Sequence, residues 1–142
     1  MKKSKLLYYL DDDADDLNHF KETADSLGQR TATFQNGNEL LYALRHYSKT
    51  SQKADIIFLD IHMPILNGEE MLNILKKSDD FKHIPVVMIS GAYPKKLVRQ
   101  YIESGANYLM KKYAGNDLKK ALEQVINIDF KKFDAADLLT HH

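Results

Sequence analysis

Cysteine is absent from the 142 residues, which removes disulfides, thiolate zinc sites and cysteine nucleophiles from consideration. Net charge is missing too. Twenty Lys plus Arg balance 20 Asp plus Glu, whereas a nucleic-acid-binding domain usually carries a basic surplus. No apolar run approaches the roughly 20 residues that cross a bilayer. The N-terminus MKKSKLLYYLDDD begins basic, but its apolar run from Leu6 to Leu10 is too short for the core of a secretion signal, and no small-residue cleavage site follows. No internal repeat or low-complexity segment stands out. These absences predict a cytoplasmic protein that neither inserts in a membrane nor binds nucleic acid directly. The length favours one domain with one substantial core. The terminal His141 and His142 carry no weight in this reading.

What is present is an alternation of short apolar runs with longer amphipathic ones. Five strands are expected: KLLYYL (5–10), RTATF (30–34), ADIIFL (54–59), IPVVMI (84–89) and NYLMK (107–111). Three are apolar almost throughout, as in strands covered on both faces. Between them run helical stripes: Leu17, Phe20, Ala24 and Leu27, stopped by Gly28; Leu40, Leu41, Leu44 and Tyr47; Met71, Leu72 and Leu75, entered from Asn67-Gly68. A fourth stripe holds Leu97, Tyr101 and Ile102 behind Pro94. A fifth holds Leu118, Leu122, Val125 and Ile126, with Asn116 as the expected N-cap. Strands alternating with helices imply an α/β fold, (βα)5, with a parallel sheet and right-handed crossovers. Ligands of such sheets bind at the carboxyl ends of the strands.

Those ends carry the chemistry. Strand one runs into Asp11-Asp12-Asp13, strand three into Asp60, strand four into Ser90-Gly91 and strand five into Lys111-Lys112. Clustered carboxylates repel unless a cation joins them, and hard oxygen ligands suit Mg²⁺. A hydroxyl and an ammonium are ordinary partners of phosphoryl oxygens. The set suits phosphoryl transfer to a carboxylate. Asp13, Asp15 and Asp16 read as the acidic opening of a helix. Lys2, Lys3 and Lys5 read as a solvated terminus, and His19, His46 and His83 as surface residues.

The acidic pair after LLYYL, the LDIHMPILNG block, the VVMISG block and the GANYLMKK block, in that order, resemble the receiver domain of two-component response regulators, of the single-domain chemotaxis type. The intervals from Asp60 to Ser90 and from Ser90 to Lys112 agree with it as well. The resemblance implies a flavodoxin-like sheet of order 2-1-3-4-5 with helices on both faces, a domain over 1–128 and a tail over 129–142. It implies that Asp60 accepts a phosphoryl group, that Asp12 binds Mg²⁺ directly and Asp11 through water, and that the backbone carbonyl of His62 is a further metal ligand. Ser90 and Lys112 would contact the phosphoryl oxygens. The implied partners are a sensor histidine kinase or histidine phosphotransfer protein and a downstream effector, met by a monomer or weak homodimer through the face of helix four, strand five and helix five. The chain would be a switch rather than an enzyme with an external substrate.

Several positions depart from the family pattern. Tyr113 stands where a proline usually follows the lysine, so the peptide there is expected to be trans. Lys111 is a neighbouring candidate for the lysine, although alternation points the two side chains opposite ways. Leu109 stands at the aromatic switch position, with Tyr108 beside it. His62 and Ala92 occupy positions that tune phosphoryl loss. These departures keep open a second reading, a degenerate receiver that binds proteins without phosphate. A phosphatase would need a second acid two residues after Asp60, where His62 stands. A flavin carrier would need a Ser/Thr/Gly-rich loop after strand one. The tail, with Phe130, Phe133 and Leu138, could extend helix five and fold onto the body, or form a partner or dimer surface.

Overall fold

The computed structural model describes residues 4–63, 67–92 and 95–141. Lys2, Lys3, Pro64, Pro94 and His142 lie outside the described residues. The apolar runs become β1 (Leu6–Leu10), β2 (Arg30–Phe34), β3 (Ile56–Asp60), β4 (Val86–Ser90) and β5 (Tyr108–Lys111). The amphipathic runs become α1 (Ala14–Ser26), α2 (Gly37–Tyr47), α3 (Gly68–Lys77), α4 (Lys95–Glu103) and α5 (Asn116–Ile126). All strand pairs are parallel, in the order β2-β1-β3-β4-β5, the flavodoxin-like arrangement.

Side-chain alternation divides the core into two layers. Leu6, Tyr8, Leu10, Ile57, Leu59, Val86, Met88 and Leu109 pack against α2, α3 and α4. Leu7, Tyr9, Ile56, Phe58, Val87, Ile89 and Met110 pack against α1 and α5. The three central strands β1, β3 and β4 are buried at every position, which is why their sequences are apolar almost throughout.

The strands β3 and β4 start and end later than their apolar runs suggest. Pro85 has no N–H for a ladder, and only its carbonyl joins in, accepting from Ile57 at 2.9 Å. Asp55 turns its carboxylate to the Leu6 N–H at 2.8 Å. At the other end Asp60 still pairs with Ile89. In α2, Leu40, Leu41 and Leu44 are buried while Tyr47 is exposed. In α4 the buried pair is Val98 and Tyr101, with Leu97 and Ile102 only partly covered. The expected cap Asn116 is instead the first residue of α5. Gly115 holds the cap position at φ +59° and offers no side-chain cap.

The helix α5 stops at Ile126, and a short 3₁₀ helix (Ala135–His141) follows. The tail does not lengthen α5. It turns back on local hydrogen bonds to Asp129 and Asp134. Phe133 rests on Tyr108 with ring centroids 5.8 Å apart, and Leu138 and Leu139 lie against the α2–α4 layer.

Candidate functional site

Strand register brings the strand-end residues together. Leu10 pairs with Leu59, so Asp11 and Asp60 stand one step beyond paired neighbours on adjacent strands. Both are buried, at 0% and 2% exposure, and Ser90 at the end of β4 is buried at 1%. Asp12 is exposed. Asp11, Asp12 and Asp60 each offer a carboxylate oxygen within 4.8 Å of the others. All three are hard oxygen donors.

Lys112 is the counter-charge. Its Nζ lies 3.1 Å from Asp11 Oδ2, 3.0 Å from Asp60 Oδ2 and 2.7 Å from Asp16 Oδ2. Its backbone N–H donates to the Ser90 carbonyl at 2.9 Å, which fixes where the side chain begins. Lys111, on the opposite side of the pleat, is exposed. Partial burial pulls the Lys112 ammonium down, and the hydrogen bonds it donates to Asp16, Asp60 and Asp11 outweigh that pull and hold it above the ordinary lysine value. One ammonium thus faces three carboxylates, with Asp12 close by. The negative excess and the all-oxygen donor set fit a small divalent cation.

The two buried carboxylates are also held by the backbone. Asp11 Oδ1 accepts from the Asp13 N–H at 3.0 Å, and Asp60 Oδ1 from the His62 N–H at 2.9 Å. Asp13 caps α1, accepting from the N–H groups of Asp15 and Asp16 at 2.8 and 3.2 Å. Its role is structural, as its place in the sequence suggests. The Asn67-Gly68 pair serves two ends. Asn67 caps α3, accepting from Glu70 N–H at 3.0 Å. Gly68 lets the helix start pass under the phosphate-acceptor candidate, because a Cβ there would sit 2.6 Å from the Asp60 carbonyl oxygen.

Ser90 Oγ donates to the Ala92 carbonyl at 2.8 Å. With that proton committed, the His62 Nε2–H is the donor in the 3.0 Å contact between the two side chains. Position 109 carries a buried leucine, and Tyr108 packs in the opposite layer. No cis peptide occurs among the described residues, so the bond after Lys112 is trans.

Three contacts, and one unpaired ring nitrogen, are not evident from motif spacing. Asp16 reaches Lys112 because one turn of α1 brings it back over the end of β1. The i, i+4 spacing from Asp12 is the available signal. The Tyr9 hydroxyl donates to Asp11 Oδ2 at 2.6 Å, and its signal is the i, i+2 spacing along a strand. The His62–Ser90 contact bridges two loops and leaves no sequence signal. His19, read as a surface residue, is only half-exposed, and its Nε2 is buried without a hydrogen-bond partner.

The chain belongs to the response regulator receiver domain family, whose model matches residues 8–123. Phosphorylation on an aspartate and Mg²⁺ binding at an acidic pocket are typical of this family of two-component signalling switches. The chain is 29% identical over 91 residues to the polar-differentiation response regulator DivK of Brucella anthropi, a match covering 64% of this chain and 68% of DivK. It is 27% identical over 79 residues to the sensor histidine kinase TmoS of Ectopseudomonas mendocina, covering 55% of this chain but only 8% of that much longer protein. In fold it is similar to the chemotaxis protein CheY4 of Vibrio cholerae, with a TM-score of 0.75 at 20% identity, covering 87% of this chain and 99% of CheY4. No helix among the described residues is long and apolar enough to cross a membrane.

Proposed function

We propose that this chain is a stand-alone response regulator that accepts a phosphoryl group on Asp60 from a sensor histidine kinase or a histidine phosphotransfer protein. The observation that carries the reading is the convergence of Asp11, Asp12 and Asp60 within 4.8 Å, with Lys112 bridging Asp11 and Asp60. Residues 1–128 form the switch and 129–142 an appended tail.

In the transfer, a carboxylate oxygen of Asp60 attacks the phosphorus of a phosphohistidine. The new P–O bond forms as the P–N bond breaks, and the leaving imidazole nitrogen keeps the electron pair and takes a solvent proton. Asp60 is suited to in-line attack because β3 is buried on both faces and the His62 N–H orients its other oxygen. Lys112 turns from the carboxylates to the phosphoryl oxygens, and Ser90 donates its hydroxyl to them in place of Ala92. Asp12, Asp60 and the His62 carbonyl would hold Mg²⁺ directly, and Asp11 through water. When bound, the ion supplies positive charge against the carboxylates and the phosphoryl oxygens. Hydrolysis of the aspartyl phosphate resets the switch, so the chain turns over no external substrate. The output is a protein–protein contact with an effector in the cytoplasm, made by a monomer or weak homodimer through the α4–β5–α5 face, without nucleic acid.

A second reading, a phosphate-independent binding module, draws on the buried Leu109 at the switch position and on Tyr113 after Lys112. Incubation with acetyl phosphate and Mg²⁺ followed by intact mass separates the two. A phosphate-sized gain in the wild type, absent in Asp60→Asn and with EDTA, is the expected result. No gain, together with no beryllofluoride binding, would leave the second reading.

A further inference from the structure

Tyr9 is the one buried phenol in direct contact with the carboxylate cluster among the described residues. Its ring is 3% exposed and lies against Phe20 at 4.4 Å between centroids, and Phe20 in turn packs on Phe58 at 5.1 Å. The hydroxyl therefore has little freedom, and it donates to Asp11 Oδ2 at 2.6 Å. That same oxygen accepts from Lys112 at 3.1 Å, while Oδ1 accepts from the Asp13 N–H. Burial first, then the hydrogen bond to Asp11 and the nearby charges, push the phenol far above its ordinary value. The contact with a carboxylate oxygen makes the Tyr9 hydroxyl the donor.

The double use of Oδ2 matters because Lys112 has a second task. When Lys112 moves to the phosphoryl oxygens, Asp11 loses one of its three described donors while deeply buried. An under-satisfied buried carboxylate is costly and free to reorient. We infer that Tyr9 is a positioning residue: its hydroxyl holds Asp11 Oδ2 through the departure of Lys112, so that Asp11 keeps its orientation in the carboxylate cluster. This rests on the reading of the site as a Mg²⁺-dependent phosphoryl acceptor. The neighbouring Tyr8 also donates its hydroxyl, to the neutral Gln52 carbonyl at 2.7 Å, in the opposite layer of the core and away from the carboxylates.

That neighbour supplies the control. Mg²⁺ affinity is measured calorimetrically in the presence of beryllofluoride, which stands in for the phosphoryl group and draws Lys112 from Asp11, for wild type, Tyr9→Phe and Tyr8→Phe. The Mg²⁺ dependence of phosphoryl uptake from acetyl phosphate is measured alongside. For Tyr9→Phe, a Kd for Mg²⁺ about 5–10-fold weaker is expected, the loss of roughly one ordinary hydrogen bond. The Mg²⁺ requirement for uptake shifts equally, and the maximal rate at saturating Mg²⁺ stays within about twofold. Tyr8→Phe shifts neither. A Tyr9→Phe Kd equal to wild type overturns the inference alone, as does an equal shift in Tyr8→Phe, which would mean general loosening. A wild type that binds no Mg²⁺ overturns both the inference and the reading beneath it. Should Tyr9→Phe not fold, the phenolic proton of Tyr9 in the wild type decides by nuclear magnetic resonance. Its protection with Mg²⁺ and beryllofluoride bound is expected, and its exchange into solvent overturns the role.

Discussion

Two lysines at opposite edges of the sheet each reach three oxygens; burial lowers both, and the charge of their partners decides the outcome. Lys112, past the end of β5, meets three carboxylates at 2.7–3.1 Å. Lys76, in the last turn of α3, meets the carbonyls of Lys82 and Ile84 and the side-chain oxygen of Asn107, at 3.1, 2.9 and 2.8 Å. All three are neutral. Burial lowers the Lys76 ammonium to about 8 with nothing to offset it, while the carboxylates raise Lys112. Hydrogen-bond number alone does not keep a buried amine charged; opposite charge does. The difference also separates the roles. Lys112 is tied to groups that must rearrange around an incoming phosphoryl. Lys76 ties the start of β4 to the loop before β5, where Asn107 also accepts from the Val86 N–H at 2.9 Å.

The contrast breaks most visibly at Lys112. In Lys112→Met, phosphoryl uptake from acetyl phosphate is expected to slow about 100-fold, as when a charge-stabilising donor is removed. Stability without divalent ions should fall by up to about 3 kcal/mol. That value sits at the low end for a broken buried ion pair because Lys112 remains one-third exposed. Added Mg²⁺ should restore much of that stability, measured by urea denaturation. The smaller effect belongs to Lys76→Met, which leaves the carbonyls of Lys82 and Ile84 without this donor. About 1–2 kcal/mol of stability should be lost, with uptake at Asp60 unchanged. A Lys76→Met variant as slow as Lys112→Met would erase the distinction.

The smallest effect is a pH dependence, and its sign follows from Lys76. In the unfolded chain this lysine keeps its proton to about 10.4, and in the folded protein it loses it near 8. Between these values the unfolded state binds more protons, so stability rises with pH. Below 8 the cost of burying the charge is fully present. Wild type should therefore gain stability relative to Lys76→Met as pH goes from 8 to 10. Lys112 acts oppositely, its contribution being lost only as pH rises through its raised folded value, so the comparison stays below 10. A flat difference would mean that Lys76 keeps its proton throughout.

Much of this was legible in the residues themselves. Apolar runs of strand length, buried on both faces, made β1, β3 and β4 readable, and the carboxylates, hydroxyl and lysine directly after them marked the edge that carries the chemistry. Where Pro85 and Asp55 intervene, the apolar runs overstate the strands. Hydrophobicity reports burial, and Ala54 and Ile84 are buried without being in the ladder. At α5 the rule favouring Asn as a cap lost to Gly115, whose positive φ turns the chain instead.

The sequence by itself determined the order of strands and helices, and with it the convergence of residues 11, 60, 90 and 112, because periodicity and strand-end position are local properties that topology then carries to one edge. Only the tertiary structure decided which groups share a proton donor or a charge there. Lys112 serves Asp16 as well as Asp11 and Asp60, Tyr9 holds Asp11, His62 holds Ser90, and the tail lies over Tyr108 and α4. Apart from the Tyr9–Asp11 pair, these depend on distances of a few ångströms between side chains far apart in the chain, set by register, helix phase and rotamer, which no local pattern encodes.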